Sequence, residues 1–166
     1  DNTVANGVGY YYRVSALSAA NNFTGPSNVA FASTYEAPHN ALDFDGAGDF
    51  VSVPNPASMN FGTGDFTMEF WMKTTTTNKA IISKRNGDAT WWRAALAVDK
   101  IYFEIGGAAV TSATGVSDNV WHHILCKRVA GVGYVYIDGV LDASGALAGD
   151  VSNTANFELG SYNNGV

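Results

Sequence analysis

Trp121-His122-His123-Ile124-Leu125-Cys126-Lys127-Arg128, then Gly133-Tyr134-Val135-Tyr136-Ile137-Asp138-Gly139-Val140-Leu141, then Asn156-Phe157-Glu158-Leu159-Gly160-Ser161: this stretch decides the fold. Its centre is a hairpin written in local chemistry. Tyr134, Tyr136 and Val140 flank Asp138-Gly139, and an Asp-Gly pair supplies the positive φ angles that a tight primed turn needs. A strand opening at Trp121 precedes it and a strand closing at Gly160 follows. The pieces together predict late strands of an antiparallel sandwich.

The same alternation runs through the rest of the chain. Phe66, Met68, Phe70 and Met72 share one side of a strand, and Thr67, Glu69, Trp71 and Lys73 share the other. Trp71 therefore needs a second packed face or a groove. Ala80–Lys84 reads as a strand, and Trp91–Val98 and Ile101–Ile105 read as strands flanking an Asp99-Lys100 turn. Nowhere does an apolar period of 3.6 persist for three turns, so the chain is read as all-β.

Composition agrees. The 166 residues are 46% hydrophobic and 14% charged, which suits a packed core and not disorder. The formal net charge is -6, and the basic residues are scattered. Nucleic acid is excluded as a partner, because phosphate binding needs a clustered basic face. Insertion into a membrane through a helix is excluded, because no run approaches the roughly 18 apolar residues required. The lone cysteine, Cys126, forms no intramolecular disulfide and reads as a small buried hydrophobe.

Several motifs in order carry a family resemblance. They are Phe44-Asp45-Gly46 with Asp49, Val51 and Val53; Phe66-Thr67 with Glu69, Trp71 and Lys73; Ile81-Ile82-Ser83-Lys84; Trp121-His122-His123; Tyr136 with Asp138-Gly139; and Leu159-Gly160-Ser161. Over residues 41–166 the chain resembles the laminin-G-like branch of the concanavalin A-like lectin/glucanase superfamily. The resemblance implies a two-sheet antiparallel jelly-roll sandwich. It also implies a closing strand after Leu159-Gly160-Ser161 that this sequence lacks. Truncation is the expected account; a strand supplied by a neighbouring chain or by Gly9–Ala16 is the alternative.

Residues 1–34 resemble the end of a fibronectin type III domain. Tyr10, Tyr12, Val14 and Ala16 match one strand of that family, and Gly25-Pro26-Ser27-Asn28 with Ala30 match its closing strand. Residues 35–40 read as a linker, since Ala37-Pro38 favours extended backbone.

No catalytic constellation is present. The jelly-roll glycosidases of the superfamily use carboxylates alternating along one strand, and none of Glu36, Glu69, Glu104 and Glu158 has an acid two residues away. Catalysis is thus not expected, and the resemblance implies non-enzymatic binding of glycans by a module of a larger secreted or cell-surface protein. An adhesive spacer with an extracellular protein partner is the alternative, and part of a glycoside hydrolase a distant third. The candidate ligand contacts are Trp91 or Trp92, one expected in the core and the other on a groove for stacking, with Arg93, Tyr162 and Asn163 supplying polar contacts. Both indoles packed away is the competing reading. Asp43, Asp45 and Asp49 form an oxygen-rich turn that suits structural calcium, against a solvated turn in which Asp45 bonds its own backbone.

Overall fold

The computed structural model describes residues 41–85, 87 and 90–161, together with the backbone of 9–12 and 30–33. The chain divides into two compact units, Asp1–Asp43 and Phe44–Val166. In the first, strands β1 (Gly9–Tyr12) and β2 (Ala30–Ser33) pair antiparallel, with Tyr10 opposite Ala32. Val14, Ala16, Gly25–Ser27 and the linker at 35–40 lie outside the described residues.

The second unit is the expected jelly-roll sandwich. Its strands are β3 (Val51–Val53), β4 (Phe66–Met72), β5 (Ala80–Lys84), β6 (Trp92–Ala97), β7 (Lys100–Ile105), β8 (Ala108–Gly115), β9 (His122–Val129), β10 (Val132–Ile137), β11 (Val140–Ala146) and β12 (Phe157–Leu159). One sheet has the order β11-β10-β9-β4, the other β3-β12-β5-β6-β7-β8, and every pairing is antiparallel. A single turn of 3₁₀ helix, Ala57–Met59, is the helical element of the described residues.

The core lies between the sheets. Phe66, Met68, Phe70 and Met72 turn inward from β4, while Thr67, Glu69 and Trp71 turn out. Phe66 stacks on Phe61 with centroids 4.6 Å apart and meets Phe103 edge-on at 5.9 Å. Trp92, Ile101, Ile105, Ile124, Cys126 and Val135 fill the same layer. The strict period of two makes this division: a one-residue slip would carry every core side chain of β4 into water.

Turn chemistry fixes the register. Asp138 and Gly139 both adopt positive φ, 52° and 80°, and close β10 onto β11 as an Asp-Gly turn should. The β6–β7 turn differs from expectation by one residue. It is made by Val98-Asp99, and Lys100 already pairs with Ala97. Val98 takes φ 60°, a conformation in which a β-branched side chain is strained. Two hydrogen bonds hold it there: Val98 N–H donates to Asn78 Oδ1 at 2.7 Å, and Asn78 N–H donates to Val98 O at 3.2 Å.

Polar side chains tie the strands to the opposite sheet and to the loops. Asp142 sits at the bulge of β11 and accepts from Ala113 N–H, Thr114 N–H and the Thr114 hydroxyl on β8, joining the two sheets. Arg128, on β9, is buried and forks onto backbone carbonyls of three glycines, Gly62, Gly64 and Gly149, with its guanidinium 5.0 Å from the Phe66 ring. Lys84 is buried among amides: its Nζ donates to Asn60 Oδ1 at 3.0 Å and to Asn153 O at 2.6 Å. Gly160 has φ 78°, and a Cβ there would come within 2.8 Å of the Phe44 ring, which explains a glycine between Leu159 and Ser161.

Candidate binding face

The adjacent tryptophans point opposite ways, as strand geometry requires. Trp92 is the core residue, 3% exposed, within 5.9 Å of Phe61 and 6.1 Å of Phe157. Trp91 faces out of the larger sheet but is only 7% exposed. The Arg85 guanidinium lies 4.6 Å from its ring centroid and that of Arg93 lies 5.5 Å away. Arg93 also donates from Nε to Glu104 Oε2 at 2.6 Å. The structure thus brings Trp91 and Arg93 together and sends Trp92 to the opposite face. A sugar ring reaches the Trp91 face only if a guanidinium moves aside. Tyr162 and Asn163 lie outside the described residues.

Asp43, Asp45 and Asp49 are exposed. Asp45 Oδ1 accepts the Ala47 N–H at 2.7 Å, and Asp49 Oδ2 accepts the Asp45 N–H at 3.1 Å. These are turn bonds within the loop. Among the described residues no group of three or more His, Cys, Asp or Glu is placed to hold a metal ion.

The exposed tryptophan is Trp71, at 58%. It stands on the outer side of β4, opposite His123 in register. The two rings lie 5.3 Å apart at 50°. Two residues along β4, Glu69 reaches back, with Oε2 3.6 Å from His123 Nε2. An indole face, an imidazole and a carboxylate are therefore presented together to solvent. The strand pattern had isolated Trp71 as the aromatic on a polar side. Its partners became visible only when the β4–β9 register was known.

The same face continues across the sheet. Glu69, Leu125, Tyr136 and Leu141 form one row through the β4–β9, β9–β10 and β10–β11 registers; Thr67, Lys127, Tyr134 and Ser144 form the next. Lys127 Nζ lies 5.2 Å from the Tyr134 ring and 5.1 Å from the Tyr136 ring, so its charge is spread over aromatic faces.

Behind the face, His122 turns the other way. Its Nδ1 lies 2.8 Å from Asp138 Oδ2 and its Nε2 lies 3.2 Å from Asp118 Oδ1. Burial pushes the His122 pKa down, but the two carboxylate hydrogen bonds outweigh it and hold the imidazole above its ordinary value. Asp138 Oδ1 also accepts the His123 N–H at 2.8 Å, tying the hairpin tip to the strand that carries the face.

Comparison with known proteins gives the relationships of this arrangement. A laminin-G family model described as the concanavalin A-like lectin/glucanases superfamily matches residues 45–166. Two solved structures share the fold. Domains LG4-5 of the mouse laminin α1 chain superpose with a TM-score of 0.58 at 14% identity, covering 87% of this chain and 39% of that one. The LG1-3 region of the laminin α2 chain superposes with a TM-score of 0.52 at 16% identity, covering 87% and 33%. The chain thus spans between a third and two fifths of the length of these neighbours. No curated protein matches the sequence. Among the described residues no helix is long and apolar enough to cross a membrane.

Proposed function

We propose a non-catalytic, glycan-binding role for this chain, which belongs to the concanavalin A-like lectin/glucanases superfamily over residues 45–166. The module works in an extracellular or cell-surface protein and binds through the outer face of the β11-β10-β9-β4 sheet. The single observation that carries this reading is the exposed Trp71 indole with His123 and Glu69 beside it. The C–H side of a pyranose ring stacks on such an indole, because slightly positive hydrogens meet the negative aromatic face. Glu69 accepts hydrogen bonds from ring hydroxyls, and His123 offers a second polar contact. A neutral sugar suits the face, since the Lys127 charge is taken up by the Tyr134 and Tyr136 rings.

The test is titration calorimetry of the full chain against neutral gluco-, manno- and chito-oligosaccharides, with Trp71→Ala as control. Binding that disappears in the variant supports the reading. No binding across the panel overturns it.

A second reading, adhesion to an extracellular protein, is favoured by the apolar row itself. Leu125 and Tyr136 are half-buried and Leu141 is exposed, an extent larger than one sugar needs.

A further inference from the structure

We infer that Asp118, His122 and Asp138 form a pH-dependent clamp that fixes the shape of the Trp71 face from behind. The inference rests on the reading of that face as the binding surface and concerns its regulation. The geometry alone demands a cation. Each ring nitrogen of His122 meets a carboxylate oxygen, at 2.8 Å and 3.2 Å. A carboxylate only accepts, so both nitrogens must carry hydrogen, and only the imidazolium does. The neutral ring has one N–H, and its other nitrogen would set a lone pair against an anion.

The clamp joins three separate pieces of chain. Asp118 belongs to the β8–β9 connection and holds itself in place by accepting the Val120 N–H at 2.9 Å. Asp138 is the first residue of the β10–β11 turn. His122 opens β9. Among the described residues Asp138 and Asp118 are the charges that act on the imidazole: its partner across the β4–β9 ladder is Met72, and its chain neighbour His123 turns to the other face toward Glu69.

Asp138 is the link to the binding surface. One of its oxygens takes the His122 ring and the other takes the His123 N–H, and the Asp138 N–H donates to His123 O at 2.8 Å. Loss of the imidazolium releases one carboxylate. When Asp138 is the one to turn away, the His123 backbone loses its acceptor, and the ring beside Trp71 loses its fixed position.

The sign follows from the shifts. His122 is raised, so its contribution is complete below about pH 6.5, the ordinary histidine value, and fades as pH rises through the higher folded value. Asp138 and Asp118 are lowered. For Asp138, burial opposes the shift and the hydrogen bonds to His122 and the His123 N–H outweigh it; for Asp118, the Val120 N–H is the largest cause and His122 adds to it. Their contribution fades only as pH falls below the ordinary carboxylate range. The clamp is complete across mildly acidic pH and opens on the alkaline side.

Nitrogen-15 NMR of the full chain tests this without any ligand. The expected result is a His122 ring protonated on both nitrogens to above about pH 6.5. The protection factor of the His123 amide should fall about tenfold as that ring deprotonates. Asp118→Asn should move the His122 transition to lower pH. A His122 that titrates at or below the ordinary value overturns the clamp, as does His123 protection indifferent to His122 ionisation. Absence of sugar binding with the NMR behaviour intact removes the glycan reading and leaves the clamp standing. Sugar binding with no His122 effect does the reverse.

Discussion

Trp71 and His123 occupy opposite positions of the β4–β9 ladder, and their rings meet at 5.3 Å on the side of the sheet that faces water. The pair forms where no core packing asks for it. An indole more than half exposed contributes little to folding, so its removal separates binding from stability. Trp71→Ala should leave the unfolding free energy within about 0.5 kcal/mol of the parent. It should weaken oligosaccharide affinity tenfold or more, roughly 1.4 kcal/mol. Calorimetry with the sugar and chemical denaturation without it measure the two quantities. A variant that unfolds readily would mean that the ring is structural after all.

Stability should depend on pH in a particular direction. With the His122 value raised in the folded chain, moving from pH 6 toward about pH 8 should lower the melting temperature, and His122→Gln should flatten that slope. Thermal unfolding at several pH values checks it. A slope that survives the substitution would place the titrating group elsewhere.

Arg128 is a test of fork geometry. Its guanidinium satisfies carbonyls of Gly62, Gly64 and Gly149 from a buried position. Lysine keeps the charge but brings a point donor in place of a planar fork. Arg128→Lys should therefore cost about 2–3 kcal/mol, because buried carbonyls lose their partners. Urea unfolding gives the number, and a loss under half a kilocalorie would refute the structural role.

Val98 should be improvable. Its positive φ is strained for a β-branched residue and free for glycine. Both hydrogen bonds to Asn78 use the Val98 backbone and survive the change. Val98→Gly should stabilise the folded chain by up to about 1 kcal/mol, visible as a rise of a few degrees in melting temperature. No change, or a fall, would mean that the entropy of the unfolded glycine outweighs the relieved strain.

Cys126 should be silent. Its thiol is fully buried, and burial pushes its pKa to about 12. The folded chain should resist a disulfide reagent at pH 8, whereas denatured chain should react at once. Rapid labelling of native protein would require local opening of β9.

Much of the architecture is legible in the residues alone. β4, β9 and β10 announce themselves because one side of each contacts the core and the other water, so alternation survives in the residues. Asp138-Gly139 announces its turn because few dipeptides accept two positive φ angles. The β6–β7 turn lies one residue from the expected place, since Val98 is a poor turn former and only the clasp by the Asn78 side-chain oxygen and backbone N–H makes it one. The candidate site was harder. Trp91-Trp92 drew attention as a pair, and alternation correctly separated the rings; that Arg85 and Arg93 would cover Trp91 depends on contacts between strands. Trp71 stood out on a polar side, yet its partners Glu69 and His123 are joined by register and not by sequence proximity. The clamp was hidden for the same reason. His122, Asp118 and Asp138 come from three loops and strand ends, and no local pattern connects them.

The pleat of β4 divides two kinds of selection. Inward positions answer to a packed interior and tolerate little; outward positions such as Thr67, Glu69 and Trp71 answer only to what lies outside. Substitution at the alternate, outward residues can therefore alter the surface of this sheet while the intervening ones keep the fold. Surface chemistry and architecture are interleaved along one seven-residue strand, so that either can be altered by substitution with little effect on the other.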